Sequence, residues 1–170
     1  MGNKEDLEYC EENACMKEAD SKFVSQAAIS RGINQLGSIG SGNHFVEIQY
    51  VDKIFDKKTA EIFGLKEDQV VIMIHCGSRG LGHQVASDYI KKMDDIYGHD
   101  KLPDRQLACA PVNSDVGKEY YKAMCAAANF AFCNKQVLTH LIRKCLSEFF
   151  PKFEAEVVYD VCHNIAKFEE

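Results

Sequence analysis

The sequence predicts one domain of the α/β or mixed α+β class, with glycine loops at strand ends and one long buried helix. Segments with the apolar patterns of strands alternate with segments of helical period, and no internal repeat is present. The chain has 170 residues, of which 46% are hydrophobic, and this is enough for one sizeable core. We therefore expect a single folded unit.

The chain begins with a polar, acidic region and then a glycine loop that leads into a strand. Residues 3–30 have sparse apolar positions that favour one or two short helices, and we expect residues 1–35 to form a peripheral helical segment. Residues 37–42 contain three glycines, which break the regular backbone. Residues 44–51 then alternate between two faces, which predicts a strand with Asn43 and Glu47 on the face opposite to His44.

The next region predicts a helix, a buried strand and an amphipathic helix. Residues 52–66 carry apolar side chains at roughly helical spacing, with Gly64 at a C-cap position. Residues 70–75 form a nearly continuous apolar run, as expected for a strand buried on both faces. Apolar residues then recur at intervals of three and four, which predicts an amphipathic helix over residues 83–97.

The longest predicted helix spans residues 115–149, with Asn113 or Ser114 as its N-cap. Its middle, residues 123–134, is apolar nearly all round, and such a helix is normally buried inside a domain larger than itself. Pro151 ends it. Residues 157–163 then predict a last strand.

Charge and composition exclude several functional classes. The formal net charge of −6 argues against binding nucleic acid through bulk positive charge, so any such contact must be local. The eight cysteines are scattered, without a CxxC pair, and indicate buried free thiols in a reducing compartment rather than a disulfide framework. No signal peptide or membrane span is visible, so we expect a soluble intracellular protein, cytoplasmic or nuclear, without membrane contact.

Three histidines stand at the ends of predicted strands. His75 and His163 each close an apolar strand, and ligands collect at the carboxyl ends of strands in mixed sheets. His44 opens its strand, so it can join the other two only if that strand runs antiparallel to theirs. Three imidazoles suit a transition metal such as zinc or manganese, although ordinary core or turn histidines are the alternative. The other histidines lack comparable surroundings and are expected to be structural: His83, His99 and His140.

A second glycine-rich turn follows His75. Residues 77–82 hold three glycines ahead of a helix start, where backbone N–H groups and the helix dipole attract an anion, and Arg79 could grip a phosphate. The glycine order matches neither the dinucleotide fingerprint nor the P-loop. A plain turn with a solvent-facing arginine is the alternative.

Glu47 is predicted on a half-apolar strand face, where an unpartnered carboxylate would be costly. One partner would be the hydrogen-bonding edge of a purine. The other would be a salt bridge to a neighbouring lysine.

Four motifs together resemble a known family. In constant order they are residues 36–49 (LGSIGSGNHFVEIQ), 73–84 (MIHCGSRGLGHQ), 105–110 (RQLACA) and 159–167 (YDVCHNIAK). They closely resemble the RtcB-type RNA ligases, in the eukaryotic tRNA-splicing form, and the resemblance implies an RtcB-like fold. Four long motifs in register are far more specific than a single glycine loop.

The resemblance implies an activity and its cofactors. The family joins an RNA 3′-phosphate or 2′,3′-cyclic phosphate end to a 5′-hydroxyl end, using GTP and two manganese ions through a histidine–GMP intermediate. The implied partners are RNA (tRNA exon halves), subunits of the tRNA-splicing ligase complex and an archease-type activator. The implied roles are metal binding for His44, His75 and His163, guanylate binding for Asn43, Glu47 and Asn164, and substrate-phosphate binding for Arg79.

Two family segments have no counterpart in this sequence. The segment Asp-x-Gly-Cys-Gly-Met would precede Met1, and the segment with the nucleophilic histidine, Cys-His-Gly-Ala-Gly-Arg, would follow Glu170, so no catalytic nucleophile is expected in this chain. We expect a single partial catalytic domain over residues 1–170, with a metal- and guanylate-binding core over 36–170, that is inactive alone. The alternatives are a non-catalytic scaffold subunit derived from the ligase and an unrelated metal-dependent phosphohydrolase.

Overall fold

The computed structural model describes residues 3–98, 102–104 and 107–169, so His99 and the first two residues of the third motif, Arg105 and Gln106, lie outside the described residues. Helices and a small antiparallel sheet occur together, which confirms the mixed class expected from the sequence. The α-helices and strands are α1 (Gln26–Gly32), β1 (Phe45–Tyr50), α2 (Lys57–Ile62), β2 (Val70–His75), α3 (Arg79–Tyr97) and α4 (Asp115–Phe149).

Strands β1 and β2 form an antiparallel pair. Phe45 pairs with His75 and Tyr50 with Val70, so the start of β1 lies beside the end of β2. The expectation that β2 is buried on both faces is wrong, because Val70 is 67% exposed and Met73 43% exposed. Within the described residues, the sheet has only these two strands and much of its apolar surface faces solvent.

Helix α4 has the bounds predicted from the sequence, Asp115–Phe149. Its N-cap is Ser114, whose hydroxyl oxygen accepts a hydrogen bond from the Gly117 N–H at 3.2 Å. The prediction that its middle is buried is confirmed, since Cys125 and Phe132 are almost fully enclosed. Because small residues dominate this stretch, neighbouring segments approach the helix closely on several sides.

The main core lies between α1, α3 and α4. A second, smaller cluster joins Met16 to Met124 and Cys125 of α4. The first 35 residues thus contribute buried side chains, which differs from the peripheral position expected for them. The buried members of the main cluster are Val24, Ala28, Leu81, Val85, Tyr89, Met93, Val116, Ala123 and Ala127.

The segment predicted as a last strand is extended but forms no strand in the described structure. Its one bridge joins Asp160 to Cys10 in parallel orientation. The pairing does not continue, because the chain turns into a 3₁₀ helix, Glu11–Ala14, directly after Cys10. Side-chain interactions also hold the segment, among them the ion pair between Lys135 of α4 and Asp160 and the hydrogen bond from the Cys162 N–H to Glu11.

Two further expectations are corrected. All eight cysteines are free thiols, but only Cys10, Cys76 and Cys125 are buried, while four others are exposed because they lie in loops or on the outer face of α4. Helix α3 begins at Arg79, four residues before the predicted start.

Among the described helices, none combines the length and apolar character that crossing a membrane requires.

Candidate functional site

The structure brings the three candidate histidines together. His75 is the last residue of β2, His44 directly precedes β1, and His163 lies in the extended C-terminal segment. The ring centres of His44 and His75 are 6.2 Å apart, and those of His75 and His163 are 5.1 Å apart. The antiparallel pairing of Phe45 with His75 explains why His44 reaches this point. This antiparallel orientation is the condition under which His44 was expected to join the other histidines.

His44 has the surroundings of an unused ligand. Its Nδ1 atom is buried and has no hydrogen-bond partner among the described residues. Burial lowers the pKa of His44, and the nearby positive charge of Arg79 lowers it further, with smaller contributions from His75 and His163. A metal ligand must be a deprotonated imidazole with a free nitrogen, and both features favour that state.

His44 was also expected to point away from the strand face that carries Glu47. That expectation rested on regular alternation, but β1 begins only at Phe45. Outside the strand, alternation no longer fixes the direction of a side chain, so the His44 ring can approach His75, which lies opposite Phe45.

The ring spacing fits a shared metal ion. Two imidazoles that bind one ion at a metal–nitrogen distance of about 2.1 Å have ring centres about 5 to 6 Å apart. The separation of His75 and His163 agrees with this spacing, and that of His44 and His75 is slightly larger. Within the described residues, however, no three His, Cys, Asp or Glu side chains are already arranged around a common point to hold an ion. The donors therefore fit a divalent transition metal in chemistry, and binding would require the rings to rotate or a further donor to join them.

Arg79 lies next to this histidine cluster. Its Nε donates to the Ser38 hydroxyl at 3.2 Å, and its Nη2 donates to the Ile39 carbonyl at 3.2 Å. These bonds hold the guanidinium against the loop of residues 37–42. At Gly40 of this loop, the guanidinium and the His44 ring lie side by side. The arginine is therefore a fixed positive charge beside the imidazoles, as a phosphate-binding group should be.

The predicted backbone cradle for an anion is absent in its expected form. Because α3 begins at Arg79, Gly80 and Gly82 lie inside the first helical turn rather than in a loop. The Gly80 N–H already donates to the Gln35 side chain at 2.7 Å. The Gly80 N–H is therefore not free to bind an anion, and the Arg79 side chain stays the candidate anion-binding group.

Gly40 leaves the space in which the His44 and Arg79 side chains meet. A β-carbon on Gly40 would overlap both the Nδ1 atom of His44 and the Nη1 atom of Arg79. The His44 ring would have to turn away, whereas the Arg79 guanidinium lies at the end of a flexible side chain and would shift more easily. A glycine is therefore required here by packing.

This geometry predicts the effect of Gly40→Ala. We expect this variant to weaken divalent-metal binding by about tenfold or more, because displaced ligands lose affinity steeply. Gly77→Ala is the matched control, since a β-carbon there meets nothing within 4 Å. Manganese titration of both variants by calorimetry checks the prediction. Equal affinities in the two variants would show that the Gly40 contact does not matter.

The candidate guanylate residues lie next to the cluster but are exposed. Asn43 directly precedes His44, and Asn164 directly follows His163 with a φ of 79° that asparagine tolerates. The Glu47 carboxylate accepts a hydrogen bond from the Gln49 amide at 2.8 Å and belongs to none of the described ion pairs. The structure thus favours neither of the two partners considered for Glu47, and guanylate binding stays a prediction.

Sequence reasoning missed two residues that support the site, Asn134 and Lys135 of α4. Asn134 is fully buried and hydrogen-bonds the backbone of the loop at Ser38 and of the turn at Gly77. One signal could have revealed it: a buried amide in an apolar helix must find polar partners outside the helix. Which partners it finds depends on the tertiary structure.

Comparisons with known proteins agree with the motifs. The family model described as tRNA-splicing ligase RtcB matches residues 1–170. Relatives named tRNA-splicing ligase RtcB are 54% identical in Methanocaldococcus jannaschii, 52% in Methanococcus maripaludis and 52% in Archaeoglobus fulgidus, each over 99% of this chain. The chain spans 18%, 36% and 36% of the length of these three relatives, respectively.

Proposed function

Because the chain belongs to the RtcB family of tRNA-splicing ligases, we propose that it supplies the metal-binding wall of an RNA ligase active site. The observation that carries this proposal is the convergence of the His44, His75 and His163 rings from three separate segments. The reaction is the joining of an RNA 3′-phosphate or 2′,3′-cyclic phosphate end to a 5′-hydroxyl end with GTP.

The histidines would hold manganese through their neutral ring nitrogens. When bound, the metal would neutralise phosphate charge and polarise a phosphoryl oxygen. Arg79 would hold a phosphate of the RNA end or of the nucleotide, since its guanidinium is already oriented by the Ser38 hydroxyl and the Ile39 carbonyl. A planar, permanently charged side chain with several donors suits this role.

Asn43, Glu47 and Asn164 would contact the guanylate. The Glu47 carboxylate accepts only, so it complements the two N–H groups on the guanine edge. Its present donor is the Gln49 side chain on the same strand face, and this hydrogen bond is exposed, so guanine would replace it without leaving a buried group unpaired. Positions flanking His44 and His163 would hold the nucleotide close to the metal.

The proposed setting is intracellular, in the cytoplasm or nucleus, with tRNA exon halves as RNA and with splicing-complex subunits and an archease-type activator as protein partners. Eight free cysteines are consistent with a reducing compartment. A scaffold role is the second candidate, and it is favoured by the exposed apolar sheet residues Ile48, Tyr50 and Val70. The two roles differ in whether the histidine site binds metal.

Incubation with radiolabelled GTP and manganese tests the assignment of roles. We expect the 170-residue chain to retain no label after denaturation, because the residues assigned here bind metal, phosphate and base, and none is the nucleophile that forms the covalent guanylate. Denaturing gel electrophoresis is the measurement, with a full-length relative as the positive control. A labelled band from this chain would overturn the assignment. Release of GDP and phosphate would instead favour the metal-dependent phosphohydrolase.

A further inference from the structure

Two adjacent residues in the middle of α4 contact all three segments that carry the candidate metal ligands. We propose that Asn134 and Lys135 are positioning residues, which fix the three histidine-bearing segments relative to one another. This positioning role has a function only if the proposed metal site exists, so the inference rests on the proposed function. Its geometry can be tested without metal.

Asn134 joins the loop before β1 to the turn after β2. Its Oδ1 accepts from the Gly37 N–H at 2.6 Å and the Ser38 N–H at 3.3 Å, while its Nδ2 lies 3.2 Å from both the Ser38 and Gly77 carbonyl oxygens and 3.3 Å from the Cys76 sulfur. The side chain is 0% exposed. Because the amide is buried, both of its halves need protein partners, and it finds them in the backbone of these two irregular segments.

These contacts bear directly on His44, His75 and Arg79. Cys76 and Gly77 are the two residues that follow His75, so Asn134 holds the chain directly after the end of β2. Ser38 belongs to the loop that leads to His44, and its hydroxyl oxygen also accepts a hydrogen bond from the Arg79 Nε–H. One amide therefore restrains the backbone on which two imidazoles and the arginine depend.

Lys135 restrains the segment that carries His163. Its ammonium pairs with the Asp160 carboxylate and donates to the Val161 carbonyl at 3.2 Å. The lysine and aspartate side chains are 9% and 12% exposed, so the pair is well shielded from solvent. Asp160 and Val161 lie within three residues of His163 and are held by a residue adjacent to Asn134.

The helix makes this arrangement possible. Successive side chains on an α-helix point about 100° apart, so Asn134 and Lys135 reach different segments from neighbouring backbone positions. The strand pairing places the start of β1 beside the end of β2, and the buried helix holds both relative to the C-terminal segment. Metal sites require such support, because loss of groups that orient the ligands commonly costs about 10- to 100-fold in affinity.

Asn129 provides a matched control on the same helix. Its Oδ1 accepts from the Met16 N–H at 2.7 Å, and its Nδ2 donates to the Met16 carbonyl at 3.1 Å. It therefore also anchors an irregular segment to α4 through both halves of its amide. That segment carries none of the candidate ligands.

Asn134→Ala and Asn129→Ala should separate positioning from general stability. We expect Asn134→Ala to weaken manganese binding by about tenfold or more and Asn129→Ala to leave it unchanged, with both measured by calorimetry. Thermal unfolding should show that both variants lose stability. Equal weakening in both variants, or no weakening in Asn134→Ala, would overturn the proposal.

Amide hydrogen exchange tests the geometry independently of metal. In the unmodified chain, the Gly37 amide should exchange as slowly as amides in the centre of α4, although it lies in a loop. Asn134→Ala should remove that protection, whereas Asn134→Asp, which keeps the acceptor, should retain it while losing donors to Ser38 and Gly77. Fast exchange of Gly37 in the unmodified chain would overturn the positioning role. Absence of manganese binding together with slow exchange would overturn only the proposed metal site.

Discussion

Replacing His75 by alanine is expected to weaken manganese binding by at least about 100-fold, since removal of outer groups alone costs about 10- to 100-fold. His75 is the central ring of the cluster, and its ring lies 6.2 Å from His44 and 5.1 Å from His163. Its removal would leave two imidazoles without their common neighbour. Calorimetric titration with manganese measures the effect directly.

The control for this variant is His140→Ala. His140 is exposed on α4 and belongs to none of the described ring contacts, so its removal should leave the titration unchanged. Circular dichroism should show that both variants keep their helix content, because His75 closes a short strand rather than filling the core. An unchanged isotherm in His75→Ala would contradict the site.

Replacing Lys135 by methionine is expected to destabilise the fold by about 3 to 5 kcal/mol, because it leaves a shielded carboxylate without its partner. Burial raises the pKa of Asp160, an effect that the positive charge of Lys135 partly offsets. Without the lysine the pKa should rise further. Urea unfolding at neutral pH measures the loss of stability.

The pH dependence of this variant follows from the same reasoning. A carboxyl whose folded pKa exceeds its unfolded value binds its proton more tightly when folded, so stability is lost as pH rises through that region. The deficit of Lys135→Met should therefore shrink as the solution is acidified from neutral pH. A deficit that grows on mild acidification would contradict the assignment.

Two controls define what Lys135 contributes. Lys92→Met breaks an ion pair with Glu119 whose partners are 48% and 30% exposed, and it should cost no more than about 1 kcal/mol. The double variant Lys135→Met with Asp160→Leu removes both charges and should recover much of the lost stability. Similar losses in Lys92→Met and Lys135→Met would contradict the account of a shielded pair.

Much of the secondary structure could be predicted because local patterns determine it. The β-branched run over residues 70–75 and the capped apolar stretch over 115–149 have the bounds that the structure gives them. Helix α3 begins before its predicted start, because two glycines of the turn, a residue type usually found in loops, lie within the helix. Residues 157–163 have a strand pattern, but pairing needs a neighbouring strand, and the pattern does not say whether one is available.

The site could be predicted only in part for the same reason. Residue types and motifs identified His44, His75 and His163, while their meeting depended on the antiparallel register of β1 and β2. Residue spacing does not predict the contacts of Asn134 and Lys135, because their partners lie 25 or more residues away along the chain. Local motifs thus predict which residues are candidate ligands. The support for the ligands comes from tertiary contacts.

The central claim is that three histidines from separate segments form one metal site, and paramagnetic broadening by manganese tests it most directly. Substoichiometric manganese added to the chain should broaden the imidazole NMR signals of His44, His75 and His163 together, and more strongly than those of His83 and His140. This result is expected because the effect falls steeply with distance from the ion. Broadening of a single histidine, or equal broadening of all five, would contradict a shared site.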